Sequence, residues 1–146
     1  MDALDSMKIS ASGLAANRKR IETISSNLAN SQTTRTIEGG PYRRKITVFA
    51  AEPMRGAYAE VVEGTYQENA QGVYAKETIS DNAPPILKYQ PDHVDADERG
   101  YVAYPNINVM VEMADLMNAQ RNYEANANAM NVSKSMAMKA LELGRN

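Results

Sequence analysis

The residues best suited to bind a ligand lie in one acidic run around the only histidine, His93. The acidic members of this run are Asp92, Asp95, Asp97 and Glu98. Imidazole and carboxylate groups are common ligands of divalent metals. However, the spacing does not match an EF-hand loop, which needs acidic ligands at positions 1, 3 and 5 and a glycine at position 6. A solvated turn between Pro91 and Gly100 is the simpler interpretation, and a metal-binding module centred on His93 is the alternative.

Other signatures of catalysis are missing from the sequence. It contains no G-x-S-x-G, H-E-x-x-H or Walker loop, and Gly39-Gly40 lacks the Lys-Ser/Thr that would follow in a phosphate loop. The chain has no cysteine, which excludes thiolate metal sites, disulfides and cysteine nucleophiles. We therefore expect a protein that is not an enzyme and that carries no cofactor.

The charge balance argues against nucleic acid as a partner. The 146 residues carry a net charge of −2, and the basic clusters at 18–20 and 43–45 are short enough to be solvated surface. A nucleic-acid-binding coiled coil is therefore disfavoured. No apolar run reaches transmembrane length, and the acidic start has no signal-peptide core. The expectation is a chain that is not membrane-inserted and is either cytoplasmic or exported without a cleaved signal.

A heptad pattern predicts a first helix over residues 3 to about 31. Large apolar residues recur every seven positions at Met7, Leu14, Ile21 and Leu28. The intervening seam positions are Leu4, Ala11, Arg18 and Ser25, of which the last two are polar. Gly13 weakens the helix further, so this seam is imperfect.

A second heptad pattern predicts a helix from about 108 to 143. Pro105 with Asn106 or Asn108 supplies a start signal, Glu112 suits the positive end of the helix dipole, and Gly144 supplies the stop. The predicted seam is Met113, Leu116, Gln120, Tyr123, Ala127, Met130, Lys134, Ala137 and Leu141.

Short runs rich in β-branched and aromatic residues lie between the helices, separated by Gly and Pro. The predicted strands are 42–49, 57–63, 73–79, 86–89 and 101–104. The chain then divides into an N-terminal helical segment 1–35, a small β-rich insert 36–105 and a C-terminal helical segment 106–146. The predicted class is α+β.

Helix length predicts the arrangement. At 1.5 Å per residue the first predicted helix would be roughly 43 Å long and the second roughly 54 Å long. A compact globule of this size has a radius of gyration of only about 15 Å. The helices should therefore pair as an antiparallel coiled-coil stalk beside a small antiparallel β insert.

The predicted helices carry few charges. Between Leu116 and Ser133 the only charged residues are Arg121 and Glu124, and Ala and Asn dominate the remainder. The first helix ends on similar chemistry, in residues 25–34 (SSNLANSQTT). Small residues allow close approach and amides hydrogen-bond in confined places, so we expect these faces to lie between protein chains. A weakly stable, weakly charged helix is the alternative.

Several motifs resemble a known family. Residues 10–16 (SASGLAA), 24–30 (ISSNLAN) and 121–126 (RNYEAN) resemble the terminal helix motifs of bacterial flagellar axial proteins, which build the rod and hook. The middle of the chain is similar to the proximal rod members, with the one departure of Val94 where proline is expected. The matching segments are 40–45 (GPYRRK), 84–85 (PP), 95–97 (DAD) and 100–108 (GYVAYPNIN).

The resemblance implies a structural subunit of the proximal rod of the flagellar basal body. It implies export through the flagellar type III apparatus without signal cleavage, and assembly in the part of the rod that spans the periplasm. The implied partners are further copies of the chain, other rod proteins and the adaptor protein at the rod base. The terminal helices would form the inner layer of a tube around the export channel, and the β insert would lie outside. A different rod or hook subunit is the alternative within the family.

The resemblance and the uncharged faces together define a predicted subunit interface. A charge placed at Asn27, Asn30, Asn122 or Asn126 is expected to block assembly. The predicted interface residues are Ser12, Gly13, Leu14, Asn17, Ile21, Asn27, Leu28, Asn30, Leu116, Gln120, Asn122, Tyr123, Glu124, Asn126 and Met130.

Overall fold

A computed structural model describes residues 3–53 and 71–144. Helices lie at both ends and strands lie between them, which confirms the α+β class. The elements are α1 (Ala3–Ala29), β1 (Lys45–Pro53), β2 (Gln71–Ser80), β3 (Ile86–Tyr89), β4 (Tyr101–Tyr104) and α2 (Val109–Leu143). The strand predicted at 57–63 falls outside the described residues. Within the described part of the chain, neither helix combines the length and apolar character needed to cross a membrane.

Helix α1 ends two residues earlier than predicted because local side chains take its last carbonyl groups. Asn30 Nδ2 donates to the Ser26 carbonyl at 2.9 Å, and Ser31 Oγ donates to the Leu28 carbonyl at 2.9 Å. The chain then turns through Gly39 and Gly40, with φ of 89° and 72°. Two successive residues in this left-handed region explain the glycine pair.

Helix α2 begins as the sequence predicts. Asn108 Oδ1 accepts hydrogen bonds from the backbone N–H groups of Met110 at 3.1 Å and Val111 at 3.3 Å. These are free N–H groups of the first turn, so Asn108 is the N-cap.

The strands between the two helices in the chain form two small sheets. Strands β1 and β2 form one, and β3 pairs with β4 antiparallel in the other, in a register that runs from Ile86 opposite Tyr104 to Tyr89 opposite Tyr101. The rings of Tyr89 and Tyr101 meet edge to face, 5.4 Å apart. Such cross-strand aromatic pairs stabilise a short ladder.

The described chain forms two compact units. The first unit contains residues 3–19, 49–53, 71–76 and 120–144, and the second contains residues 20–48 and 77–119. The division into segments 1–35, 36–105 and 106–146 is drawn from sequence patterns and differs from these two units, so it stays a prediction. The coiled-coil stalk also stays a prediction.

In the first unit, α1 and α2 pair antiparallel through small side chains. Ser6 Oγ donates to Ser133 Oγ at 3.0 Å. Seven residues further along α1, Gly13 is buried against Asn126, which lies seven residues earlier in α2. A Cβ at position 13 would stand 2.9 Å from Asn126 Nδ2, so only glycine allows this approach without displacing the amide.

In the second unit, α1 and α2 also run antiparallel, but charged side chains join them. Arg20 lies 3.9 Å from Asp115, and Asn27 hydrogen-bonds Glu112. The apolar side chains buried among the described residues of this unit are Ile24, Val102 and Ala119, together with the ring of Pro105. This is a small core, in keeping with a sequence poor in large apolar residues.

The helix seams are displaced by one residue from the prediction. The α1 side is lined by buried residues at Ser10, Gly13 and Ala16 in the first unit, and Thr23, Ile24 and Asn27 in the second. The predicted residues Met7, Leu14, Ile21 and Leu28 are half-buried at its flank. In α2, Glu112 and Ala119 are buried where Met113 and Gln120 were expected, and both of the expected residues are exposed. Small residues occupy much of the seam because they let the two helices approach closely.

Candidate subunit interface

Asn27, near the end of α1, forms hydrogen bonds at all of its donor and acceptor positions, and it is only 1% exposed. Its Nδ2 donates to the Lys45 carbonyl at 2.8 Å and to Glu112 Oε2 at 3.0 Å. Its Oδ1 accepts from the Lys45 N–H at 2.8 Å and from the Tyr42 hydroxyl at 3.1 Å. An amide has two donors and can accept two hydrogen bonds, so all four positions are occupied within the chain.

Glu112 is equally buried, and Arg44 neutralises its charge. Arg44 Nε donates to Glu112 Oε1 at 2.7 Å, and Arg44 Nη2 lies 2.6 Å from the same oxygen. These are the short distances of charge-assisted hydrogen bonds. Because Glu112 Oε2 accepts from Asn27, both carboxylate oxygens are satisfied. A carboxylate can therefore remain buried at this helix contact.

Tyr42 extends the arrangement to a fifth residue. Since the Tyr42 hydroxyl gives its proton to Asn27 Oδ1, it accepts from Ser26 Oγ, 3.1 Å away. We call these residues the Asn27 network: Ser26, Asn27, Tyr42, Arg44 and Glu112. The network ties the end of α1 and the start of α2 to the segment before β1.

The sequence signal for this network is weak. Glu112 suggested an interaction with the helix dipole, and Arg44 lay in a cluster that suggested solvated surface. The hydrogen bonds instead join positions 68 and 85 residues apart. Once the structure places Glu112 on the buried side of α2, a partner is required, because a buried charged residue needs one. Sequence spacing alone does not place it there.

In the first unit, the predicted interface residues of α1 act largely within the chain. Ser12 Oγ donates to the Ile9 carbonyl at 2.7 Å and accepts from the Val73 N–H at 3.2 Å. Asn17 Nδ2 donates to the Gly13 carbonyl at 2.9 Å, and Leu14 is half-buried.

In the second unit, Ile21, Leu28 and Asn30 are half-buried. The Asn30 amide caps α1, and its Oδ1 accepts from Thr33 Oγ1 at 3.2 Å. Asn27 and Asn30 thus have partners in their own chain, and their role in an interface stays a prediction.

The predicted residues of α2 divide differently. Leu116, Asn126 and Met130 are half-buried, and Tyr123 is 39% exposed. Gln120, Asn122 and Glu124 are exposed, and among the described residues none of their side chains forms a hydrogen bond or an ion pair. These three polar groups of α2 are available to another chain.

An exposed apolar surface lies near the start of α2. Met110, Met113 and Met117 are 75%, 47% and 53% exposed. Their spacing of three and four residues places them on one side of the helix, and we call this surface the outer methionine face. Flexible thioethers adapt to neighbours of different shape, as surfaces with several partners require.

The loop around His93 is a hydrogen-bonded turn. His93 Nδ1 accepts from the Asp95 N–H at 3.1 Å, and Asp97 Oδ1 accepts from the N–H groups of Arg99 and Tyr101 at 2.9 Å and 2.8 Å. Asp95 also accepts from Thr34 Oγ1 at 2.7 Å. Among the described residues, no three His or acidic side chains converge as metal ligands do.

Two family profiles match the helical regions. The family described as "Flagella basal body rod protein" matches residues 7–35. The family described as "Flagellar basal body rod FlgEFG protein C-terminal" matches residues 98–143. Both matches include segments that the sequence motifs assigned to axial proteins.

Curated relatives match almost the whole chain. The "Flagellar basal-body rod protein FlgC" of Borreliella burgdorferi is 40% identical, and the alignment covers 98% of each chain. The proteins of the same name from Bacillus subtilis and Salmonella typhimurium are 39% and 37% identical, over 99% of this chain and 100% of theirs. These alignments include the middle of the chain as well as both helical regions. The chain belongs to the family of flagellar basal-body rod proteins FlgC.

Proposed function

We propose that this chain is a structural subunit of the proximal rod of the flagellar basal body. Copies polymerise through the terminal helices into a tubular drive shaft that transmits torque, surrounds the export channel and supports motility. Support comes from the relatives, whose names give them as basal-body rod proteins, and from the surface of α2.

One observation carries the assembly step. Two sets of exposed residues on α2 matter here: the polar side chains of Gln120, Asn122 and Glu124, which have no partner among the described residues, and, near the start of the helix, the outer methionine face. A helix intended for water would carry charged pairs four residues apart, which stabilise an isolated helix. Here Gln120, Asn122 and Glu124 offer amide and carboxylate groups to a neighbouring subunit.

The proposal assigns a place to each segment. Segments 1–35 and 106–146 form the inner layer of the tube, and segment 36–105 lies outside them. The fifteen predicted interface residues divide between this contact and the internal bonds described above. The exposed residues of α2 make the direct contacts, whereas Asn27 and Asn30 act within the chain: Asn27 bonds Glu112 of α2, and Asn30 caps α1.

The location and the partners follow from the same assignment. The chain leaves the cytoplasm through the flagellar type III export apparatus, without cleavage of a signal, and joins the rod where it spans the periplasm. It contacts further copies of itself, other rod proteins and the adaptor protein at the rod base. It has no catalytic activity and needs no cofactor.

A matched pair of charge substitutions tests the interface. Asn122→Asp adds a negative charge at an exposed position of α2, and Asn82→Asp makes the same change at an exposed loop position. Asn27→Asp is a poor test because it would also place two carboxylates together inside the Asn27 network. Each variant replaces the native copy in the flagellated source bacterium, and swimming and the amount of chain in purified basal bodies are measured.

We expect Asn122→Asp to abolish swimming and to deplete the chain from basal bodies, since burying an unpaired charge costs several kcal/mol. The Asn82→Asp variant should swim normally. Circular dichroism of both purified variants confirms that folding is unchanged. Normal incorporation of the Asn122→Asp variant would refute the proposed interface. Absence of the unaltered chain from purified basal bodies would refute the rod assignment itself.

A further inference from the structure

We infer that the Asn27 network is a register-determining device, which fixes the axial position of α1 against α2 in the second unit. This goes beyond the proposed function, and only its consequence for assembly rests on that function. The residues that set the register are Asn27, Arg44 and Glu112.

The network has geometry that only one register satisfies. Asn27 makes four hydrogen bonds and Glu112 accepts at both oxygens, all to partners held by three separate segments. Moving one helix by a heptad displaces Glu112 by about 10 Å along the axis. That distance exceeds the reach of every bond in the network.

Two further contacts between α1 and α2 in the second unit discriminate poorly between registers. The surrounding seam contains Ile24, Leu116 and Ala119, and apolar contacts of this kind re-form after a shift. The Arg20–Asp115 pair is 3.9 Å long and partly exposed, so it contributes little.

One shifted register is a real competitor. A move of one heptad brings Glu112 level with Arg20, which could neutralise the carboxylate. However, that register leaves Asn27 buried without Glu112, and leaves Arg44 without its partner. The intact network therefore excludes the competitor, in the way that a buried polar residue fixes the register of a coiled coil.

Specificity of this kind is separable from stability. Replacing a whole buried ionic group by apolar residues of similar size is often neutral or stabilising, whereas removing one partner is strongly destabilising. The triple variant Asn27→Leu, Arg44→Met, Glu112→Leu should therefore stay folded but lose its unique register. The single variant Arg44→Met leaves the Glu112 carboxylate buried without its cation and should raise the unfolded-to-folded ratio by about 100-fold or more.

The absence of cysteine makes the register measurable. Ser25→Cys and Met117→Cys place spin labels at two exposed positions of the second unit, and no native thiol interferes. Pulsed electron resonance then reads the distance between the labels in the full chain. A matched control triple, Asn82→Leu, Arg43→Met, Glu98→Leu, makes the same chemical changes at exposed positions.

We expect one distance in the unaltered chain and in the control triple, and at least two in the network triple, separated by up to about 10 Å. A second variant, Asn27→Leu with Arg44→Met, keeps Glu112 and should move the main distance toward the register that pairs Glu112 with Arg20. A single unchanged distance in both network variants would overturn the inference. Loss of any defined distance in both would assign the network a stabilising role alone, and would also overturn it.

Assembly provides a separate readout. The network triple should be depleted from basal bodies while the control triple is incorporated. Depletion without a change in distance would contradict the register device. A change in distance with normal incorporation would confirm the device and count against its importance for assembly.

Discussion

The two units bring α1 and α2 together with the same antiparallel sense but with opposite chemistry. In the first unit, Gly13 packs on Asn126 and Ser6 bonds Ser133, so the contact is small and uncharged. In the second unit, Glu112 is buried beneath Arg44 and Asn27. One contact depends on close approach and the other on paired charge.

The difference separates two requirements of a helix pair. Small side chains let helices approach closely, but they distinguish weakly between alternative alignments. A buried, fully bonded carboxylate contributes little net stability against an apolar equivalent, but it tolerates one geometry. The second unit therefore carries the information about alignment, and the first unit carries a contact that adjusts more easily.

The largest effect expected from this comparison follows removal of Arg44. Arg44→Ala leaves the Glu112 carboxylate buried without its cation and should destabilise the second unit by about 3–5 kcal/mol. Hydrogen exchange followed by mass spectrometry should show faster exchange at residues 20–29 and 109–119, with little change at 120–143. The control is Arg43→Ala, at the neighbouring exposed arginine, which should change stability by less than about 0.5 kcal/mol. Equal effects of the two substitutions would remove the distinction between the units.

A smaller effect is expected at the close approach in the first unit. Gly13→Leu pushes a side chain into Asn126 and should destabilise this contact by about 1–3 kcal/mol. The double variant with Asn126→Ala should recover part of the loss, with a coupling energy of at least about 0.5 kcal/mol in urea unfolding. Strictly additive effects would show that Gly13 and Asn126 do not restrict each other.

The smallest of these effects concerns the start of α2. Asn108→Ala removes the acceptor for two backbone N–H groups and should cost about 1 kcal/mol. Asn82→Ala is the matched control at an exposed loop position and should have no measurable effect on the thermal midpoint. An equally stable Asn108→Ala chain would mean that the Asn27 network alone secures this end of the helix.

Much of the fold could be predicted from sequence periodicity. Strands 86–89 and 101–104 have the observed bounds, and α2 begins at Val109, directly after the predicted start signal Asn108. The Gly and Pro residues between the strands and the Asn108 cap depend only on nearby residues. Such local signals can be recognised without knowledge of the tertiary structure. The predicted seams are displaced by one residue, because heptad spacing selects positions such as Met113 and Ile21 without information on which side chains find partners across the contact. The actual contact uses smaller or bonded residues such as Gly13 and Asn27.

The candidate site was less predictable for a physical reason. The uncharged polar residues that end α1 suggested contacts with other chains, yet Asn27, Asn30 and Ser31 find partners in their own chain. A sequence pattern reveals that an amide needs partners but not which chain supplies them. The same pattern in α2 leaves Gln120 and Asn122 exposed, so the interface prediction is retained there.

The burial of Glu112 has a consequence for the outside of the molecule. Successive residues of an α-helix are about 100° apart around its axis, so fixing the direction of one side chain fixes the direction of its neighbours on the same turn. With Glu112 pointing inward to Arg44, Met113 is rotated outward by about 100°, beside Met110 and Met117. The buried Glu112 carboxylate therefore determines which side chains α2 exposes to solvent or to a neighbouring subunit.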